Sequence, residues 1–212
     1  MTTNTDSHGG IYDERDQELF ELLNQQKTDS AVVILGAGIL EDDLESLLRI
    51  CCLQDARLVK KFVDPLFDVY APFSTFSAKI TVSYALGLIP ADQHRALELV
   101  RRLRNDVAHE RKVVSFQSPK YESRLRAIVK SAKPITGVED FAERAAHVFD
   151  DKEMARTVRV SKREFSDRLA FTFCVAHISS SIIGTRKGRL LLQSKGIDPS
   201  RFLREANPDE SE

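Results

Sequence analysis

The chain has 212 residues, enough for one domain with its own hydrophobic core, so neither a metal nor disulfides are needed for folding. Lysine and arginine (31) nearly balance aspartate and glutamate (32), and the formal net charge of -1 excludes a whole-molecule attraction to nucleic acid. The three cysteines have no CxxC spacing and are expected to be reduced. The N-terminus lacks a signal-peptide pattern and no window is apolar enough to span a membrane, so a cytoplasmic protein without membrane contact is expected.

The N-terminal third predicts two helices. Residues 1–10 are polar and expected to be disordered, and apolar residues then recur at helical spacing within 13–26. A longer helix is predicted over 29–54, with Asp29 or Ser30 as its N-cap. Gly36 and Gly38 would weaken this helix unless a neighbour packs closely, so the pattern predicts a tight helix crossing there.

The middle of the chain predicts further helices with clear start and stop signals. Ser74 or Thr75 is expected to cap a helix that runs to about Leu86, and Gly87 follows as a C-terminal stop. The chain restarts at Pro90, and an amphipathic helix is predicted over 91–108. Two more helices are predicted at about 119–132 and 138–150.

The C-terminal third is predicted to hold one long core helix. An extended segment is expected near 155–160, where β-branched residues alternate with charge. The long helix then covers 161–183 and is expected to end at the glycines of GTRKG, with a short helix after it. Residues 206–212 form an acidic tail that is expected to be disordered, so the predicted fold is an all-α, single-domain helical bundle over 11–205.

The stretch RRLRNDVAHE, at the end of the 91–108 helix, carries the residues best suited to chemistry. His109 could take the proton of a ribose 2′-hydroxyl or give one to the leaving oxygen, and Arg104 could stabilise charge on the phosphate. Asn105 could orient the phosphate or the imidazole, and no metal would be needed. Arg104 and His109 are about 140° apart around an ideal helix, which favours a site shared by two chains of a homodimer. This Arg-x4-His pattern resembles the signature of the HEPN superfamily, helical dimers that include RNA-cleaving toxins.

Two other interpretations of RRLRNDVAHE are open. Its arginines can be solvated cations that complement the helix dipole, with His109 capping the last carbonyls. It can also form a non-catalytic polar contact between two copies of the chain.

A longer pattern resembles the mannitol operon repressor family of bacterial helical proteins. It comprises ILGAGILEDDLESLLR and, after a break, PFSTFSAKITVSYALGLIPADQHRALELVRRLRNDVAHE. The resemblance covers residues 30–110 well and the long helix at 161–188 only loosely. The resemblance implies an all-α fold and repression of a sugar-alcohol uptake operon. The turn at Gly87–Pro90 is followed by a helix start that is not basic, so the residues do not predict a standard helix-turn-helix.

The leading hypothesis is therefore a regulatory protein that represses transcription through a protein partner or through contacts with DNA or RNA. The alternative is a metal-independent ribonuclease that uses Arg104 and His109. A third hypothesis is a purely structural interaction module. No metal or cofactor is expected, since the histidines show no ligand spacing.

Charged residues outside RRLRNDVAHE have supporting roles in these hypotheses. A pair between Glu41 and Lys79, or between Glu41 and Arg104, would hold two helices in register, and Asp106 would help to orient the site. Cations near the C-terminus form a candidate surface for nucleic-acid phosphates: Arg156, Arg159, Lys162, Arg163, Arg186, Lys187 and Arg189.

Overall fold

The structure of the protein is a computed structural model, and it describes residues 14–52, 54–132 and 164–197. In chain order the helices are α1 (Glu14–Asn24), α2 (Asp29–Ile50), α3 (Ala56–Leu58), α4 (Phe76–Ala85), α5 (Ala91–His109), α6 (Pro119–Ala132) and α7 (Glu164–Ser194). A π-helical turn, Val59–Val63, and a 3-10 turn, Asp64–Leu66, follow α3. These ranges contain no strand, which confirms the predicted all-α fold.

The core lies where α2 and α7 pack along each other, which is the most extensive helix pair among the described residues. The α5 helix packs on α2 and on α6, α6 closes back on α7, and α1 and α4 cover the sides. Apolar residues at helical spacing place one face of each long helix inward. The largest fully buried side chains are Leu23, Leu40, Leu44, Leu47, Ile80, Leu97, Leu103, Leu125, Ile128, Phe171, Ile178 and Ile182.

The start of α2 differs from the prediction by one or two residues. Thr28, and neither Asp29 nor Ser30, is the N-cap, and its hydroxyl accepts a 3.2 Å hydrogen bond from the backbone N–H of Ala31. The Asp29 carboxylate instead accepts a 2.9 Å hydrogen bond from the backbone N–H of Phe116. The Asp29 side chain, which the sequence pattern predicts as the N-cap, thus makes a tertiary hydrogen bond instead of capping α2.

The predicted tight crossing occurs at Gly36. A Cβ atom built on Gly36 would lie 3.1 Å from Cγ2 of Val175 and 3.3 Å from Cε1 of Phe171, so α7 approaches α2 where no side chain intervenes. Gly38 has no neighbour within 4 Å of a Cβ position and plays no part in the crossing.

The predictions for α4 and α5 are confirmed. The Thr75 hydroxyl caps α4 by accepting a 3.2 Å hydrogen bond from the backbone N–H of Ala78. The backbone of Gly87 has a φ of 64°, the left-handed conformation that glycine adopts readily after a helix. Pro90 then precedes the first residue of α5.

The predicted end of the long C-terminal helix was wrong. The α7 helix continues through Gly184 and Gly188 to Ser194, so the expected break and separate short helix do not exist. A glycine inside a helix costs only about 1 kcal/mol, and both glycines have open space around a Cβ position. Neighbouring leucines and long polar residues favour the helix strongly enough to carry it across both positions.

Several predictions fall on other parts of the chain. The helix at 138–150, the extended segment near 155–160 and the terminal segments 1–10 and 206–212 lie outside the described residues. Within the ranges that the structure covers, no helix is both long enough and apolar enough to cross a membrane.

Candidate functional site

The polar end of α5 keeps Arg104, Asn105 and His109 on a regular helix. The helix includes His109, and the turn tightens only at Glu110, whose backbone N–H donates to the Val107 carbonyl at 3.3 Å. Five positions on a regular helix correspond to about 140°. Within one chain, therefore, the helix does not turn Arg104 and His109 toward a common point.

Arg104 and Asn105 contact each other. Nη1 of Arg104 donates a 3.4 Å hydrogen bond to Oδ1 of Asn105, and both side chains are partly buried. Arg104 has no ion pair among the described residues, so the alternative pair with Glu41 does not form there. His109 is exposed and forms no hydrogen bond or ion pair within the same ranges.

The two acids of this segment are paired with cations of α6. Asp106 forms an ion pair with Arg124, and Nε of Arg102 lies 4.0 Å from Oε2 of Glu98 in the preceding turn. Glu110 lies 3.0 Å from Nζ of Lys120, and this hydrogen bond lowers the pKa of the carboxyl. These pairs tie the end of α5 to α6.

Lys79 is buried between two carboxylates of α2. Its ammonium lies 3.2 Å from Oε1 of Glu41 and 2.8 Å from Oε2 of Glu45, while only 6% of the side chain is exposed. Burial raises the pKa of Glu45, but hydrogen bonds from Lys79 and Arg49 outweigh that effect and leave the pKa below its ordinary value. The structure thus brings Glu41 and Lys79 together and adds Glu45, which the sequence-based site did not include.

A second buried polar cluster was missed by the sequence reasoning. Asp43 of α2 accepts hydrogen bonds from Ser179 of α7 at 2.6 Å and from Arg15 of α1 at 2.9 Å. One signal was available: Asp43 is three residues after Leu40 and four before Leu47, both fully buried, so it belongs to the inward face. Its partners, 28 and 136 residues away in sequence, had no such signal.

One residue of the first turn of α5 faces the core. Gln93 is buried and its amide donates a 3.2 Å hydrogen bond to the Ile178 carbonyl, while His94 stacks on Tyr84 with ring centroids 4.5 Å apart. A small pocket of about 170 Å³ opens beside this turn, lined by Pro90, Asp92, Gln93, Ala132, His177, Ile178 and Ser181. In the described ranges, no three histidine, cysteine or acidic side chains are grouped so as to hold a metal ion.

The cationic surface near the C-terminus is described only in part. Arg156, Arg159, Lys162 and Arg163 lie outside the described residues. Arg186, Lys187 and Arg189 are on the last turns of α7, where Nη1 of Arg189 lies 3.8 Å from Sγ of Cys51 at the end of α2. Gln193 donates a 3.3 Å hydrogen bond to the Ile50 carbonyl. The end of α7 is therefore held against the end of α2.

These helices and buried polar clusters define an all-α bundle protein. The mannitol repressor family model matches residues 15–178, and the chain belongs to this family. The mannitol operon repressors of Escherichia coli strains K12 and O6:H1 are each 27% identical over 101 residues, which is 48% of this chain and 52% of each relative. The matched region thus spans about half the length of these curated relatives.

Two solved structures share the fold. The MtlR–HPr complex from Escherichia coli superposes with a TM-score of 0.61 at 20% identity, covering 79% of this chain and 97% of that chain. A possible transcriptional regulator, YggD from Shigella flexneri, gives the same TM-score at 15% identity and covers 79% of this chain and 98% of its own.

Proposed function

We propose that the chain is a regulatory protein of the repressor type, which acts by binding a protein partner. Membership of the mannitol repressor family supports the regulatory role. A chain of the same fold has been solved in complex with HPr, which supports a protein partner.

The observation that carries the proposal is the orientation of the first turn of α5. After a helix and a turn, this is where a DNA-reading helix would present side chains to the major groove. Here Gln93 is buried against α7, and His94 stacks on Tyr84 of the preceding helix. Gln93 is committed to the core, and the half-buried His94 is held against the exposed ring of Tyr84, so repression through a partner fits the geometry better than direct reading of an operator.

Calorimetric titration with purified Escherichia coli HPr tests the partner. We expect saturable binding with a Kd of about 100 μM or tighter, the range of weak regulatory encounters. Two duplex DNAs of unrelated sequence serve as controls and should bind equally weakly. Heats that never exceed dilution, or a clear preference for one duplex, would contradict the proposal.

Removing the protein from its own cells tests repression. RNA sequencing should then show that a small set of transcripts rises, and a copy of the gene supplied in trans should reverse the rise. An unchanged transcript profile would argue against a repressor.

A second candidate function, metal-independent ribonuclease, is favoured by the end of α5. Asp106 and Glu110 are neutralised by Arg124 and Lys120, so no acid of the segment is left to pair with Arg104 or His109. An arginine and a histidine that are not paired with an acid can bind a phosphate and exchange a proton with a ribose hydroxyl. Since the regular helix separates them within one chain, the site would need a second copy of the chain.

Mixing two inactive variants tests this shared site. Wild-type protein should cleave single-stranded RNA in EDTA, whereas Arg104→Ala and His109→Ala should each be inactive. In an equimolar mixture about half of the dimers would be mixed, and each mixed dimer would keep one of its two sites intact. The mixture should therefore regain about a quarter of the wild-type activity. Intact RNA with the wild type, or unaltered cleavage by His109→Ala, would rule out the ribonuclease.

A further inference from the structure

The connection between α2 and α4 carries an aromatic side chain in an unusual state. Tyr70 is 99% exposed, and its backbone has a φ of 67°, a left-handed conformation that a bulky residue seldom adopts. Such strain persists only where the surroundings impose it, and it is common at binding sites. The exposed ring and the strained backbone together indicate that Tyr70 contacts a ligand.

The loop that carries Tyr70 has a firm base. The rings of Phe67 and Phe73 lie 5.4 Å apart, and the backbone N–H of Phe73 donates a 2.9 Å hydrogen bond to the Leu66 carbonyl. Arg49 of α2 places its guanidinium 4.1 Å from the centroid of Phe67 and pairs with Asp64 at 2.9 Å. Tyr70 is therefore presented by a braced loop, which reduces the entropy lost when a ligand binds.

Cations and a second aromatic ring lie in the turns just before this loop. Phe62 is 52% exposed, with Nζ of Lys61 5.0 Å from its ring centroid, and Arg57 and Lys60 are exposed on the same turns. Of the three acids in residues 54–73, Asp55 accepts from the backbone N–H groups of Arg57 and Leu58, Asp64 pairs with Arg49, and Asp68 is exposed. Among the described residues, Arg57 and Lys60 form no ion pair.

The end of α7 adds positive charge beside the same end of α2. Residues 184–195 contain four cations and no acid. Arg189 contacts Cys51, and Gln193 and Gln54 both donate to the Ile50 carbonyl, each at 3.3 Å. Arg189 therefore lies at the end of α2 from which the connection to α4 begins, and it adds positive charge to that end of the molecule.

We infer that this surface, named the Tyr70 surface and formed by Arg57, Lys60, Lys61, Phe62 and Tyr70 in the connection between α2 and α4, binds single-stranded nucleic acid. Exposed aromatic rings on which bases stack, set beside cations that follow the phosphates, are how proteins bind single strands. Protein interfaces also use tyrosine, but they are depleted of lysine, which here occurs twice in succession. This activity goes beyond the proposed protein partner and does not depend on it.

Fluorescence anisotropy with labelled dT15 and rU15 tests the inference. Tyr70→Ala should weaken binding by about fivefold to a hundredfold, the range for loss of one stacked base, and Tyr70→Phe should bind like the wild type. Val113→Ala is the matched control because Val113 is 92% exposed on another loop. Lys60→Ala with Lys61→Ala should make the slope of log affinity against log salt shallower by about 1.4.

Tyr70→Gly separates binding from folding. Glycine accepts the left-handed backbone without strain, so this variant should have a higher Tm than the wild type and still lose binding. Three results would overturn the inference: no binding of either oligonucleotide by the wild type, equal binding by Tyr70→Ala, or displacement of the oligonucleotide by polyglutamate of equal charge as readily as by unlabelled strand. The last result would indicate an acidic protein ligand.

Discussion

The hydroxyl of Ser179 in α7 donates a 2.6 Å hydrogen bond to Oδ2 of Asp43 in α2. Arg15 of α1 joins both groups, with Nη2 at 2.9 Å from Oδ1 of Asp43 and Nη1 at 3.0 Å from Oγ of Ser179. Asp43 and Ser179 are buried, whereas the Arg15 side chain is 40% exposed, so the cluster reaches from the apolar core to the surface. These contacts fix how α1 and α7 lie against α2.

Replacing Ser179 with alanine should lower the free energy of unfolding by about 1–3 kcal/mol, since the buried carboxylate loses a hydrogen bond that water cannot replace. Urea denaturation followed by circular dichroism measures the change. Ser181→Ala, at an exposed position of the same helix, should stay within about 0.5 kcal/mol of the wild type. Equal effects of the two substitutions would mean that the buried contact is not stabilising.

The same cluster should respond to pH. Burial raises the pKa of Asp43 above its ordinary 3.8, although the hydrogen bond from Ser179 and the charge of Arg15 act in the other direction. The folded state therefore holds this proton more tightly than the unfolded state. Protonation of Asp43 therefore contributes to the free energy of unfolding fully below about pH 3.8, its ordinary pKa, and this contribution is lost as the pH rises through the higher folded pKa.

Asp43→Asn removes this titration. Lowering the pH from about 7 to about 4 should therefore stabilise the wild type relative to Asp43→Asn, as measured by urea denaturation at each pH. If the free energy of unfolding of the wild type minus that of Asp43→Asn stays constant or falls as the pH is lowered, the pKa of Asp43 is not raised.

Lys79→Met should destabilise the protein because it takes the ammonium away from Glu41 and leaves Glu45 with Arg49 alone. Breaking a fully buried pair costs about 3–5 kcal/mol. Here the carboxylates are 20% and 27% exposed, and solvent screening lowers the expected loss to about 1–3 kcal/mol. Lys130→Met, at an exposed position of α6, is the control and should have little effect.

Acid should reduce this loss. The pKa of Glu45 is depressed in the folded state, so its stabilising contribution is present above the ordinary value of 4.5 and disappears as pH falls through the lower folded pKa. The difference between wild type and Lys79→Met should therefore shrink in acid. A difference that grows there would contradict the pairing.

The helices that were predicted well carry their information locally. Thr75, Gly87 and Pro90 stand at the ends of α4 and α5, and each acts on the backbone within a few residues of itself. The α2 cap was misplaced because three successive polar residues, from Thr28 to Ser30, could fill the position. Only the distant contact of Asp29 with Phe116 decides among them.

The polar sites show the same division. The buried Lys79 pair followed from an acidic cluster in one helix and a lone lysine in the other, yet the second acid, Glu45, depends on how α4 lies on α2. The contact between Asp43 and Ser179 spans 136 residues and could not be predicted from spacing. Nor does the sequence around Tyr70 contain a glycine to mark its left-handed backbone.

The crossing of α2 and α7 predicts opposite outcomes for two nearby glycines. Gly36→Leu should lower the free energy of unfolding by about 1–3 kcal/mol or more, because its side chain must displace Val175 and Phe171. Gly38→Leu points into open space and should gain up to about 1 kcal/mol from the higher helix propensity of leucine. Thermal melts of the two variants should move in opposite directions, and a similar fall in Tm for both would contradict the close approach.

The three cysteines should differ in their reaction with Ellman's reagent. Burial raises the pKa of the Cys174 thiol to about 12, and this side chain is fully buried in α7, so almost none of it is thiolate and none is accessible. Burial also raises the pKa of the Cys51 and Cys52 thiols, which slows their reaction, but Cys51 is exposed and Cys52 is partly exposed, so both should react in the native protein at about pH 8 and faster at higher pH. Cys174 should react only in urea, and Cys174→Ala should leave the native titration unchanged. A third fast thiol in the native protein would show that α7 separates readily from α2.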